Sequence, residues 1–212
     1  MEKIGKSTFL IKRIFDVLFS LITLIILFPL LLMLSIVIAV TDGFPIFFTQ
    51  VRPGKNGKSF KLHKFRTMKV VQNQYNEITA DGDRITKPGN FLRRTSLDEL
   101  PEFFNVLKGE MSIVGPRPLL MQYLQRYSDE QFRRHEVLPG ITGWAQVNGR
   151  NAISWEAKFR LDVWYVDHLS FWLDIRIIFQ TIWNVVKGEG ISPSGQVIMD
   201  EFMGNSESKF TE

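Results

Sequence analysis

The stretch Val17-Leu18-Phe19-Ser20-Leu21-Ile22-Thr23-Leu24-Ile25-Ile26-Leu27-Phe28-Pro29-Leu30-Leu31-Leu32-Met33-Leu34-Ser35-Ile36-Val37-Ile38-Ala39-Val40 carries no charge, and 20 of its 24 residues are apolar. A straight helix of that length spans roughly 36 Å, more than the hydrocarbon core of about 30 Å. The run is too long for a signal-peptide core, and it leads into Thr41-Asp42-Gly43-Phe44-Pro45 rather than a small-residue cleavage site. Pro29 sits near its middle, removes a backbone hydrogen bond and favours a kink, leaving arms of roughly 16 to 18 Å that each reach mid-bilayer. Both flanks are basic: Lys3, Lys6, Lys12 and Arg13 before, then Arg52, Lys55, Lys58, Lys61, Lys64, Arg66 and Lys69 after. Basic flanks prefer the cytoplasmic side. The pattern therefore predicts a re-entrant membrane helix kinked at Pro29 with both ends on one face; a plain single-pass anchor is the alternative.

Outside this run the chain has the composition of one globular domain, roughly 40% apolar and a quarter charged. The net charge is +4 and cysteine is absent, which excludes a thiolate nucleophile, a zinc knuckle and a disulfide-stapled module. His63, His135 and His168 have no metal-ligand spacing and read as structural residues.

Residues 46 to 66 predict a hairpin, with Ile46-Phe47-Phe48-Thr49-Gln50-Val51 as one strand, Pro53-Gly54-Lys55-Asn56-Gly57-Lys58 as turn and Ser59-Phe60-Lys61-Leu62 alternating. Val70 to Asn90 reads as a polar surface loop. Residues 101 to 108 and 119 to 136 carry helical spacing, and Ser154 is placed to cap a helix running to about His168. From Phe171 to Lys187, Phe171, Ile175, Ile178, Phe179, Ile182, Val185 and Val186 share a face opposite Arg176, Gln180, Asn184 and Lys187, with Trp172 and Trp183 near the boundary. Such a helix suits a membrane interface or a protein core. The predicted fold is α+β and helix-rich, with a small hairpin and amphipathic helices, interfacial or core-packed, around a compact cytosolic domain. Residues 1–45 form the membrane-associated part, 46–203 the domain and 204–212 a mobile tail.

Asp98 and Glu99 adjoin in Arg93-Arg94-Thr95-Ser96-Leu97-Asp98-Glu99-Leu100-Pro101-Glu102. One account is structural, since Ser96-x-x-Glu99 has the form of a capping box. The other is chemical: neighbouring helical residues point about 100° apart, so one carboxylate can attack while the other holds a metal. Lys64, Arg93, Arg117 (between Pro116 and Pro118) and Arg150 (after Asn148-Gly149) are candidate phosphate ligands. No Walker loop or Rossmann fingerprint is present, and no nucleic-acid motif accompanies the basic residues. Asp81-Gly82-Asp83 has the D-x-D spacing of many metal-dependent glycosyltransferases.

Phe48-Thr49-Gln50-Val51-Arg52-Pro53-Gly54, Lys64-Phe65-Arg66-Thr67-Met68, Ser96-Leu97-Asp98-Glu99-Leu100-Pro101, Asn105-Val106-Leu107-Lys108-Gly109-Glu110-Met111-Ser112, Val114-Gly115-Pro116-Arg117-Pro118 and the run Pro139 to Arg150 follow one another in order. Together they resemble the bacterial sugar transferase family, the monotopic phosphoglycosyl transferases, in its small single-domain form. The resemblance implies transfer of a sugar 1-phosphate from a UDP-sugar to polyprenyl (undecaprenyl) phosphate, with release of UMP and ping-pong kinetics. This is the first membrane step of bacterial glycoconjugate or exopolysaccharide assembly, on the cytoplasmic face of the inner membrane. It assigns Asp98 as the nucleophile that forms an aspartyl phosphosugar and Glu99 as its magnesium-binding neighbour. Lys64, Arg93, Arg117, Arg150 and the acidic Asp162 fall on its substrate-binding positions. UDP-N-acetylated hexoses, including a diacetamido trideoxyhexose, are the donors it favours, with UDP-galactose and UDP-glucose open. One departure is Phe28, where the family often has serine before the kink proline.

Two rivals remain at this point. A metal-dependent glycosyltransferase using Asp81 and Asp83 would release UDP, and a non-catalytic membrane adaptor would bind anionic lipid through the basic hairpin.

Overall fold

The computed structural model describes residues 6–69, 84–149, 153–187 and 201–204. Helix α1 spans Lys6–Thr41, 36 residues with Pro29 inside it. Among the described residues it is the one helix long and apolar enough to cross a membrane. Its buried positions recur every fourth residue at Lys12, Asp16, Ser20 and Leu24, and resume at Leu34 and Ile38. The intervening Leu18, Leu21, Ile22, Ile25, Ile26 and Phe28 are exposed. One stripe of the helix thus faces protein and the rest faces outward.

Both ends of α1 rest on the same body. Near the N-terminal end, Lys12 Nζ donates to Val114 O at 2.9 Å and to Asp174 Oδ2 at 2.5 Å, and Asp16 Oδ1 accepts from Ile113 N at 3.1 Å. At the other end, Leu34 and Ile38 close over Phe65 and Leu92. The carbonyls of Asp42 and Gly43 accept from Arg66 Nη2, both at 2.5 Å, and Thr86 Oγ1 donates to Asp42 Oδ2 at 2.8 Å.

The expected hairpin is present. Strands β1 (Phe47–Pro53) and β2 (Ser59–Phe65) pair antiparallel, with Phe47 opposite Phe65 and Pro53 opposite Ser59. Asn56 and Gly57 take left-handed φ of 54° and 72° between them, a conformation that asparagine and glycine tolerate best.

Helix α2 (Lys87–Thr95) corrects the loop expected up to Asn90. Thr86 caps it by accepting from Gly89 N at 3.0 Å, and Pro88 lies in the first turn, where a missing N–H costs nothing. Gly89 packs so tightly that a Cβ there would sit 2.1 Å from Thr67 O. The remainder of the predicted loop, 70–83, lies outside the described residues, as do Asp81 and Asp83. Helix α3 (Glu102–Lys108) follows, close to its expected bounds, and stops at Gly109 with φ 83°.

A second, parallel pair was not foreseen: β3 (Ser112–Val114) lies beside β4 (Gly140–Thr142). The segment 119–136, which carries helical spacing, is broken into a 3₁₀ turn at Met121–Gln125, a short α4 (Asp129–Phe132) and another 3₁₀ turn at Arg133–His135. Ser128 and Gln131 form a reciprocal capping box that starts a new helix where the old one would have continued. After α5 (Trp144–Val147) come α6 (Trp155–Asp167), capped by Ser154 as expected, and α7 (Phe171–Lys187).

Phe60, Leu62, Val106, Met111, Ile113, Val114, Tyr165 and Ile177 make the main core, against which Phe15 and Phe19 of α1 pack. Helix α7 meets it through Asp174 and Ile177, while Trp172, Phe179, Ile182, Trp183 and Val186 are exposed. The apolar face of α7 is therefore divided: Ile178 packs on the core and Phe171 on Phe15, while Phe179, Ile182 and Val186 are turned outward. A third cluster joins Tyr123, Phe159 and Phe202, so the chain docks again at Phe202. The tail assigned to 204–212 lies beyond the described residues after Gly204.

Candidate active site

Ser96 ends α2 in the left-handed region at φ 56°, a conformation that costs a non-glycine residue about 1 kcal/mol. The reversal feeds a single 3₁₀ turn, Leu97–Glu99, before α3 begins. The capping box whose pattern Ser96 and Glu99 carry is not made, because the Ser96 side chain caps nothing. The Glu99 carboxylate points instead at two cations: its Oε1 accepts from Lys64 Nζ at 2.7 Å and from Arg117 Nη2 at 2.6 Å. Lys64 Nζ also lies 3.1 Å from Glu102 Oε1. In this arrangement Lys64, Glu99 and Arg117, separated in sequence, form one cluster beside Asp98.

The scaffold explains the motifs. Asn105, fully buried, donates to Lys61 O at 2.7 Å and accepts from His63 N at 3.1 Å, clamping α3 to the strand that carries Lys64. Gly115 and Gly140 touch backbone to backbone, and a Cβ on Gly140 would fall 2.1 Å from Gly115 N. Gly115 N donates to Thr142 O at 2.9 Å and Gly140 N to Pro116 O at 3.0 Å. The two proline-glycine motifs are thus the paired walls of the loop that presents Arg117.

Asp162 is not grouped with the Glu99 cluster. It is buried against Arg134, whose Nε and Nη2 reach Asp162 Oδ2 at 3.0 and 2.7 Å. Arg134 Nη2 also donates to Arg117 O at 2.8 Å, so Asp162 acts on the site through the backbone that holds Arg117. Arg93 is exposed on the last turn of α2, within electrostatic reach of Asp98. Arg150 lies outside the described residues. Sequence reasoning missed Arg134 and Glu102 as members. Glu102 was detectable, since three residues after Glu99 it falls on the same helical side.

Charge is unevenly shared among the acids. Burial, then the neighbouring Glu99 charge, pushes the Asp98 carboxyl up to about 6, against the pull of Lys64, Arg117 and Arg93. Burial also acts to raise Glu99, but Arg117 and Lys64 together outweigh it and hold that carboxyl down at about 2. Burial and Glu99 push Glu102 up to about 7. Adjacent carboxylates with opposite shifts are suited to different tasks. Glu99 holds a permanent charge, and Asp98 carries the less stabilised, more basic carboxylate.

Magnesium can be tested against this donor set. Among the described residues no three acidic or histidine side chains converge on one point. The hard carboxylate oxygens of Glu99 nevertheless fit magnesium, which takes one or two carboxylates and completes its shell with water and substrate phosphate.

The sequence profile of the bacterial sugar transferase family matches residues 7–188. The chain is 50% identical over 198 residues to the "Uncharacterized sugar transferase EpsL" of Bacillus subtilis (strain 168), covering 93% of this chain and 98% of that protein. It is 41% identical over 185 residues to the UDP-glucose:undecaprenyl-phosphate glucose-1-phosphate transferase of Escherichia coli (strain K12), covering 82% of this chain and 40% of that protein. With the UDP-N-acetylgalactosamine-undecaprenyl-phosphate N-acetylgalactosaminephosphotransferase of Aeromonas hydrophila it shares 38% over 188 residues, 85% of this chain and 44% of that protein. It therefore spans nearly all of the Bacillus relative and about two fifths of the other two. The match covers the Asp98–Glu99 turn, its Lys64 and Arg117 partners and the membrane-type helix together: the chain belongs to the bacterial sugar transferase family.

Proposed function

We propose that the protein transfers a sugar 1-phosphate from a UDP-sugar to a polyprenyl phosphate, in two steps through Asp98. The observation that carries this reading is the Asp98–Glu99 turn, where Lys64 and Arg117 fix one carboxylate as a charge and leave the other as the more basic oxygen. A carboxylate oxygen of Asp98 attacks the sugar-bearing phosphorus. The bond from that phosphorus to the bridging oxygen breaks, and UMP leaves with the electron pair. The acceptor phosphate then attacks the same phosphorus and displaces the Asp98 carboxylate, which is regenerated. Arg117 and Lys64 are positioned to neutralise charge on the transferred group and the departing nucleotide. Magnesium held through Glu99 would supply further neutralisation of the diphosphate.

The lipid acceptor requires the site to lie near a bilayer. Exposed apolar faces on α1 and α7, together with the seating of both ends of α1 on one body, support a re-entrant helix and an interfacial α7. A spanning anchor would instead project away from the domain. The cytoplasmic face follows from the basic flanks. The sugar is not selected by family membership, because relatives are named for glucose, galactose and N-acetylgalactosamine donors. An N-acetylated hexose is our first choice.

A panel of UDP-sugars with undecaprenyl phosphate and magnesium tests the proposal through the nucleotide released. UMP, a covalent adduct on Asp98 and loss of both in Asp98→Asn are expected. Release of UDP would instead favour the Asp81–Asp83 glycosyltransferase reading. No turnover, with salt-sensitive vesicle binding that survives loss of Asp98 and Glu99, would favour the adaptor.

A further inference from the structure

Arg52 stands on β1 opposite Phe60, two residues from Gln50 and so on the same face of the strand. Its Nη2 donates to Gln50 Oε1 at 2.6 Å, while its Nε is buried without a partner. Among the described residues it makes no ion pair, although Glu102 lies within electrostatic reach. Strand β1 packs against the Met121–Gln125 turn, which brings Tyr123 alongside, and Tyr127 and Arg117 lie within the same electrostatic reach. Burial and the Arg117 charge both act against the protonated guanidinium.

A buried donor without a partner costs about 1–3 kcal/mol, and a second guanidinium beside it adds repulsion. An acceptor-only dianion would remove both penalties. The Tyr123 hydroxyl accepts from Phe202 N at 3.4 Å and the Tyr127 hydroxyl from Arg134 Nη1 at 3.4 Å, which leaves both phenolic protons to donate. The surroundings of Arg52 are therefore rich in donors, and phosphate oxygens only accept.

We propose that Arg52 is a substrate-binding residue that, with Arg117, grips the phosphates of the nucleotide donor. The inference rests on the sugar 1-phosphate transfer proposed above. The soluble donor is favoured over the lipid phosphate because a diphosphate offers more acceptor oxygens than a monophosphate to the donors gathered at Arg52, Tyr123 and Tyr127. Both tyrosines belong to the Phe202 cluster, apart from the α1 cluster formed by Leu34 and Ile38.

The test is UDP binding by calorimetry to the full chain in nanodiscs, with UMP release measured on the same preparations. Arg52→Gln should weaken UDP binding by about tenfold or more, with Arg52→Lys in between because lysine keeps the charge but loses the fork. The KM for the lipid acceptor should not change. UDP affinity within about twofold of wild type in both variants overturns the proposal, as does an effect confined to the acceptor KM. If Arg52→Gln fails to fold, as judged by its thermal unfolding, Arg52→Lys alone decides between these results. Failure of the wild type to release UMP from any UDP-sugar refutes the parent reading. Release by the wild type with unchanged UDP affinity in the variants refutes the role of Arg52 alone.

Discussion

Arg117 Nη2 donates to Glu99 Oε1 at 2.6 Å, and with Lys64 this contact keeps a largely buried carboxylate charged against the effect of burial. Glu99→Gln preserves shape and removes the charge that both cations face. UMP release should drop by about 10²-fold or more, and the magnesium dependence of the residual rate should flatten. Rates measured across a magnesium titration check this; near wild-type turnover with unchanged magnesium response would refute the role given to Glu99.

In the proposed mechanism Asp98 attacks as the carboxylate, and burial with the Glu99 charge pushes its pKa up to about 6. Formation of the covalent adduct should therefore rise with pH, levelling above about 6. In Glu99→Gln the like charge is gone, so the inflection should move to lower pH. Acid-quenched single-turnover assays with labelled donor give the profile. An inflection that stays in place would show that Glu99 does not set it.

A carboxyl raised in the folded state makes its ionised form a burden on the fold. The stability contributed by the protonated form is present below about 4 and is lost as pH rises through about 6. Asp98→Asn should therefore be inactive yet more stable than wild type at pH 8, by on the order of 1–2 kcal/mol after allowance for solvent screening. Unfolding curves at pH 8 and pH 5 should show the gap narrowing at the lower value; a less stable variant at pH 8 would contradict the assignment.

Lys12 and Asp174 form a buried ion pair at 2.5 Å, and Tyr165 Oη lies 2.7 Å from the other oxygen of Asp174. Removing one partner strands a charge. Lys12→Met should cost roughly 3 kcal/mol, and adding Asp174→Asn should restore part of it. Denaturation in detergent micelles measures both, and additive losses in the double variant would argue against a coupled pair.

Topology can be read without background labelling, because the chain has no cysteine. Cysteines placed singly at Lys6 and Lys55 should react with an impermeant reagent from the same side of inverted vesicles. Lys55 Nζ lies over the Phe9 ring at 5.2 Å, which already sets the hairpin tip beside the start of α1. Opposite accessibility would rule out re-entry.

Local signals were legible where one residue fixes the backbone. Ser154 announced α6, and Pro-Gly-Lys-Asn-Gly announced the hairpin turn. The parallel pair of Ser112–Val114 and Gly140–Thr142 escaped because each strand is three residues long and its partner lies far along the chain. Helix α2 escaped because its opening, Lys87-Pro88-Gly89-Asn90, looks like a turn until Thr67 is seen packed on Gly89. In the site, the acidic pair and its basic partners were named, and the structure joins Lys64 and Arg117 to Glu99. The pairing of Asp162 with Arg134 was hidden, since burial and not spacing determines that contact.

The stripe of α1 that meets the body makes anchor and enzyme inseparable. Cutting the chain before Ile46 would uncover Phe65 and Leu92, strip Asp174 of its cation and leave the carbonyls of Val106 and Leu107 without the Arg13 guanidinium that now binds them at 2.6 and 3.0 Å. Val114, whose carbonyl receives Lys12, stands three residues from Arg117. A soluble truncation would therefore lose part of its own interior, and grafting this catalytic body onto a foreign membrane segment would demand a replacement that recreates the same lysine, arginine and aspartate contacts.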